Sequence, residues 1–188
     1  MNILSWNYQG LGQALTRRAL NDLIFKYRPC LVFLMETKKP RRYLEPLRRK
    51  FAFSSSAYVE PQGYSGGLAL WWTEDINLSI FYSDKNMFDG CCSDAAFTTS
   101  WHFSLVYGEP NVQLRRNVWN KVLNMGRPES IPWLLMGDLN LVEDSSDKKG
   151  KRPPLVTDKR ILEDLICSCL LRDVTYKGPQ YTWSRGHI

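Results

Sequence analysis

The chain has 188 residues, 44% of them hydrophobic and 13% aromatic, and carries a net charge of +6. That length and apolar content fit one domain with a real core and exclude a chain disordered throughout. No run approaches the roughly 18 apolar residues of a membrane span, and no basic stretch followed by an apolar one opens the chain, so no membrane helix or secretory leader is expected.

The first predicted element is a strand over Asn2 to Asn7. Gly10 and Gly12 loosen the backbone after it, and Leu15, Ala19, Leu23 and Ile24 recur at helical spacing as far as Tyr27. Arg28-Pro29 stops that helix, because the residue before a proline is pushed out of the helical region. An apolar strand, Leu31 to Glu36, comes next, followed by a short basic helix over roughly Arg41 to Lys50. The middle of the chain is strand-like at Phe51–Glu60, Gly67–Trp72, Ile76–Tyr82, Met87–Cys92 and Trp101–Tyr107. Turn signals separate these stretches so closely that antiparallel connections are expected rather than helical crossovers. A helix from about Asn111 to Asn124 has Val112, Val118, Trp119, Val122 and Leu123 for one face. Then follow a strand ending at Asp138, a polar loop from Glu143 to Pro154, a helix near Thr157–Leu170, and the start of a strand at Tyr181-Thr182-Trp183. So many apolar strands would be buried by two packed sheets with helices outside.

Charge and cysteines narrow the partners. Residues 1–50 hold eleven Lys and Arg against three Asp and Glu, a balance of +8, and the remainder carries fourteen against sixteen. The excess lies largely in Lys38, Lys39, Arg41, Arg42, Arg48, Arg49 and Lys50. Such a cluster is either a solvated helix face or a surface for a polyanion. Cys30, Cys91, Cys92, Cys167 and Cys169 include no C-x-x-C, so free thiols of an intracellular protein are expected, with no disulfide partner.

The most informative residues are polar ones at the ends of apolar runs: Asn7, Glu36, Asp138 and Asn140. A carboxylate or amide there costs desolvation unless it is paired, hydrogen-bonded or holding a metal. Several such strand ends imply one convergent polar site along a rim, suited to a hard cation and a phosphate. Glu36 is a candidate Mg²⁺ ligand, since that ion takes one or two carboxylates plus water and phosphate. An extended backbone beyond a strand would direct Asp138 and Asn140 to the same side, the carboxylate taking a proton from water while the amide orients it. Tyr107, at another strand end, would donate to a phosphoryl oxygen or pack as an aromatic. Ser65-Gly66-Gly67 permits close backbone approach or a plain hairpin. Trp71, Trp72 and Trp183 would stack on bases or, more simply, fill the core.

In order along the chain, W-N-Y-Q-G-L-G, F-L-M-E-T-K, S-G-G-L-A-L-W-W, V-Y-G-E-P, P-W-L-L-M-G-D-L-N and G-P-Q-Y-T-W-S resemble the endonuclease/exonuclease/phosphatase superfamily. The likeness is to the apurinic-endonuclease-like domain of plant non-LTR (LINE-type) retrotransposons, over residues 2 to about 186. The resemblance implies a four-layered α/β sandwich, two mixed sheets flanked by helices. It places Asn7 and Glu36 at the Mg²⁺ site (Mn²⁺ as a substitute), Tyr107 on phosphate, and Asp138 and Asn140 on the attacking nucleophile. The implied reaction is Mg²⁺-dependent nicking of DNA in the nucleus, as the partner of a reverse-transcriptase domain in a longer polypeptide.

Some family features are missing. Tyr8-Gln9 stands where many relatives have Cys-Arg, and the closing Ser-Asp-His motif and an earlier Asp are absent. Neither His102, inside a strand, nor His187, beside the C-terminus, matches them. The last strands of the fold are accordingly expected to be lacking. The alternative is a non-catalytic remnant of the same fold, binding nucleic acid through the basic segment.

Overall fold

The structure, a computed structural model, describes residues 1–10, 12–94, 100–125, 130–148, 153–179 and 181. Its elements group into two compact units, Met1–Gly108 with Arg127–Leu139, and Glu109–Gly126 with Asn140–Ile188. The expected strand at 181–183 begins at Tyr181, which has no regular structure, and its other two residues lie outside the described ones, as does His187.

The first unit contains two four-stranded sheets. In chain order its elements are β1 (Ile3–Asn7), α1 (Ala14–Tyr27), β2 (Leu31–Met35), α2 (Arg41–Lys50), β3 (Ser55–Val59), β4 (Leu68–Trp72), β5 (Ile76–Asp84), β6 (Met87–Asp94) and β7 (Trp101–Tyr107). The second unit supplies α3 (Val112–Asn124), the chain returns to the first for β8 (Trp133–Asp138), and α4 (Val156–Cys169) belongs to the second. One sheet has the order β1-β2-β4-β3 and the other β5-β6-β7-β8. Within each, one pair is parallel, β1 with β2 and β7 with β8, and the remaining pairs are antiparallel. The parallel pairs are those whose connections contain a helix, as a parallel crossover requires. The α/β class expected from the sequence, two packed mixed sheets with helices, is thus the observed one.

Side-chain alternation builds two apolar layers. Leu31, Phe33 and Met35 of β2 and Leu68 and Leu70 of β4 meet Phe88 of β6 and Phe103, Leu105 and Tyr107 of β7 between the sheets. The opposite faces of β2 and β4 carry Val32, Leu34, Ala69 and Trp71, which pack with Leu20 of α1 and Leu44 of α2. β2 is therefore buried on both faces, which is why it reads as an unbroken apolar run. Trp71 is fully buried and donates its indole N–H to the Tyr58 hydroxyl at 3.0 Å, so it is a core residue rather than a base-stacking one.

Two expectations need correction. The buried face of α1 turns on Leu20, with Ile24 partly buried, whereas Leu15 and Ala19 are exposed. The seam lies one residue further along because Leu20 is the position that faces β2. β3 begins at Ser55 rather than Phe51, since Phe51 and Phe53 pack their rings on Trp71 in the turn that leaves α2. In the second unit, Asn111 caps α3 by accepting from the Gln113 N–H at 3.0 Å. Arg115 of α3 binds both carboxylate oxygens of Asp158 of α4, at 2.9 and 2.7 Å, and also donates to the Glu109 and Pro110 carbonyls.

All five cysteines are free thiols. No described helix is long and apolar enough to cross a membrane.

Candidate active site

Both parallel strand pairs end at the same side of the sandwich. Asn7 closes β1 and is in register with Met35, while Tyr107 closes β7 in register with Asp138, the last residue of β8. Met35 ties the two sheets together there, because the Asp138 backbone N–H donates to its thioether sulfur at 3.2 Å. The Asp138 carbonyl accepts from the Gly108 N–H at 2.7 Å, which fixes the strand end from the other side.

Two contacts across this rim bring four of the expected residues together. The Asn7 amide donates to Asp138 Oδ2 at 2.8 Å, and the Tyr107 hydroxyl donates to Glu36 Oε1. Glu36 also holds the ammonium of Lys38, with Nζ at 3.0 Å from Oε2. Tyr107 is 6% exposed and its hydroxyl is held on Glu36, so it is not a tip standing in water.

Local backbone explains how Glu36 is aimed. Glu36 and Lys38 both have left-handed backbones, φ 53 and φ 49. They flank Thr37, which is fully buried. The Thr37 and Lys38 N–H groups donate to the Gly67 and Gly66 carbonyls, each at 3.0 Å. A Cβ on Gly67 would lie 2.3 Å from the Thr37 hydroxyl, so Ser65-Gly66-Gly67 is a close backbone approach that clamps the Glu36 turn, not merely a hairpin. Sequence patterning pointed to Glu36 and took Lys38 only as part of the basic cluster, and it passed over Thr37, for which the Gly-Gly pair was the available signal.

Asn140 departs from expectation. β8 stops at Asp138, and Asn140 has φ 51, so no extended backbone carries both side chains to one side. Asparagine is among the few residues that tolerate this conformation, which accounts for its presence in the irregular segment after β8. Asn140 belongs to the second unit, Asp138 to the first.

Neighbouring groups sort into support and surface. Tyr8 follows Asn7 but turns into the core, with its hydroxyl buried and without a hydrogen-bond partner. Burial, reinforced by Tyr43, pushes its phenol well above the ordinary tyrosine range. Within the basic helix, Arg48 is largely buried, gripping Glu45 Oε2 through two nitrogens at 3.0 Å and donating to the Phe53 carbonyl. Burial raises the Glu45 pKa, but hydrogen bonds from Arg48 and Ser56 and the Arg48 charge outweigh it, so the group titrates below its ordinary value. Arg41 and Arg49 reach Glu45 only at 3.7 and 3.8 Å and stay exposed, so they, not Arg48, form a charged surface. His102 is buried at the far end of β7 from Tyr107, about 17 Å away along an extended strand, with its Nδ1 lacking a partner.

The donor set suits a hard cation. Among the described residues no group of three or more His, Cys, Asp or Glu is poised to chelate a metal. Mg²⁺ does not require one, because one or two carboxylates suffice when water and phosphate complete the shell. Glu36 and the Asn7 amide oxygen, which also accepts from the Gln9 N–H at 3.3 Å, are donors of the type such an ion could take.

Comparisons with known proteins agree with this architecture. A family model described as Endonuclease/Exonuclease/phosphatase family matches residues 4–187. Among solved structures, an AP endonuclease from Archaeoglobus fulgidus aligns with a TM-score of 0.68 at 11% identity, over 88% of this chain and 70% of that one. The 3′ phosphatase NExo from Neisseria, bound to a product DNA hairpin, aligns with a TM-score of 0.62 at 12% identity, over 89% and 71%. The endonuclease domain of TRAS1, a telomere-specific non-LTR retrotransposon, aligns with a TM-score of 0.61 at 14% identity, over 88% and 71%. No curated protein sequence matches the chain.

Proposed function

The chain belongs to the endonuclease/exonuclease/phosphatase family, and from that premise we propose that it hydrolyses phosphodiester bonds of DNA with the help of Mg²⁺, as a retrotransposon-type endonuclease acting in the nucleus. The observation that carries this reading is the pair of contacts at one rim, Asn7 to Asp138 and Tyr107 to Glu36. Asp138 takes a proton from the attacking water, and Asn7 orients the carboxylate by donating to its Oδ2. Tyr107 fixes Glu36, which with Asn7 would hold the ion. When bound there, Mg²⁺, or Mn²⁺ as a substitute, would supply Lewis-acid stabilisation of charge on the phosphoryl oxygens. Asn140 is assigned by resemblance to orienting the nucleophile. DNA would approach along the exposed Arg41 and Arg49, next to the Lys38-Lys39 turn.

The test is nicking of supercoiled plasmid with and without Mg²⁺. Asp138→Asn should lower the rate by about 10²-fold or more, the ordinary worth of a general base. Equal nicking by wild type and variant, or none by either, defeats the proposal. A second reading, nucleic-acid binding without cleavage, is favoured by one observation: His102 lies at the far end of β7, so no described histidine serves the site. Salt-dependent DNA binding with no nicking would select it.

A further inference from the structure

We propose that Lys38 is a built-in counter-cation that competes with the divalent ion for Glu36 and thereby sets the metal affinity of the site. The inference rests on the metal reading above and adds a residue that the reading does not use. Both oxygens of Glu36 are engaged, Oε1 by the Tyr107 hydroxyl and Oε2 by the Lys38 ammonium at 3.0 Å. The two engagements are not equivalent. A hydroxyl donor is neutral and leaves the carboxylate charge available, whereas an ammonium cancels it. A divalent ion arriving at Glu36 must either displace that ammonium or sit beside it against direct charge repulsion. Either route weakens binding.

The backbone holds Lys38 in this role. It is the second of two left-handed residues, and its N–H is anchored to Gly66 at 3.0 Å. Its Cδ lies where a Cβ on Gly10 would meet it at 3.5 Å, so the loop after β1 closes over the side chain's stem. The Lys38 side chain is only partly exposed, 35%, and that of Glu36 still less, 19%, which shields the pair from solvent more than a typical surface ion pair. Lys39 provides an internal comparison. It carries the same charge one residue on, but its ammonium lies over the Tyr43 ring at 5.3 Å rather than on Glu36. Once released from Glu36, the Lys38 ammonium is free to meet a phosphate oxygen, so one side chain would guard the site when empty and serve the substrate when loaded.

The experiment measures Mn²⁺ affinity of the full chain by electron paramagnetic resonance, with no substrate present. The set comprises wild type, Lys38→Met, Lys38→Arg, Lys39→Met and Glu36→Gln, and circular dichroism confirms that each is folded. Lys38→Met should tighten Mn²⁺ binding roughly threefold to tenfold, the worth of a partly shielded ion pair and its repulsion. Lys38→Arg should stay near wild type, and Lys39→Met should change binding by less than Lys38→Met. Unchanged or weaker binding by Lys38→Met, while Glu36→Gln still loses affinity, overturns the role of Lys38 and spares the metal site. Glu36→Gln binding as well as wild type overturns the metal site itself.

Discussion

Gly137 is the most demanding position near the site, and its replacement by alanine separates strain from displacement. Gly137 has φ 144, and a Cβ there would lie 1.9 Å from the Val106 carbonyl oxygen and 2.8 Å from its carbonyl carbon. Real Cβ contacts stay beyond 3.0 Å, so β8 would have to withdraw from β7 by roughly 1 Å. The disfavoured backbone costs about 1–3 kcal/mol. Withdrawal adds one or two weakened ladder hydrogen bonds at about 1 kcal/mol each. The sum, about 2–5 kcal/mol, corresponds to a fall in Tm of roughly 5–15 °C for a chain of this size. Asp138 is the next residue, and a 1 Å misplacement is worth about 10²-fold in rate. Gly63→Ala is the control: φ is 62 there and nothing lies within 4 Å, so only strain of about 1 kcal/mol applies. Thermal melts of both variants, with plasmid nicking beside them, read the difference. Equal Tm values for the two variants, or nicking undisturbed in Gly137→Ala, would refute the close-approach argument.

Two further predictions concern support around the rim. Tyr8→Phe removes a buried hydroxyl that has no partner, so urea unfolding should show equal or greater stability, by up to about 2 kcal/mol; a loss above about 1 kcal/mol would contradict the assignment. Glu45 has its pKa lowered on folding, so its contribution is complete above its unfolded value and is lost as pH falls through the folded one. The stability gap between wild type and Glu45→Gln should therefore be constant near neutral pH and shrink in acid, and a gap independent of pH would defeat it.

Much of the fold was legible because burial and periodicity coincide in it. α2 and β7 begin and end where their sequence patterns do, at Arg41–Lys50 and Trp101–Tyr107, and β8 ends where its pattern does, at Asp138. β2 was readable as an apolar strand because nothing polar interrupts Leu31–Met35, and the structure buries it on both faces. Phe51 and Phe53 misled because an apolar residue in a turn that packs on Trp71 looks like the start of a strand. Leu15 and Ala19 misled because a short helix leaves two neighbouring seams of similar apolar content, and only the position of β2 selects the one through Leu20.

The candidate site was legible as a set of residues but not as a geometry, and the reason is conformational. Glu36, Lys38 and Asn140 all have left-handed backbones, which hydrophobic patterning cannot signal. Each such residue costs about 1–2 kcal/mol unless its surroundings dictate it. For Glu36 and Lys38 the surroundings are visible: two hydrogen bonds to Gly66 and Gly67, a buried Thr37, and a glycine that no larger residue could replace without meeting the Thr37 hydroxyl. A relaxed turn would carry the carboxylate away from Tyr107 and the ammonium away from the carboxylate. Conformational cost has therefore been accepted where β2 hands the chain to the rim, and what it secures is the meeting of Glu36, Tyr107 and Lys38. Arg28 and Leu170 adopt the same conformation as exposed helix caps, so it is the clamp by Gly66 and Gly67, not the conformation alone, that sets this rim apart.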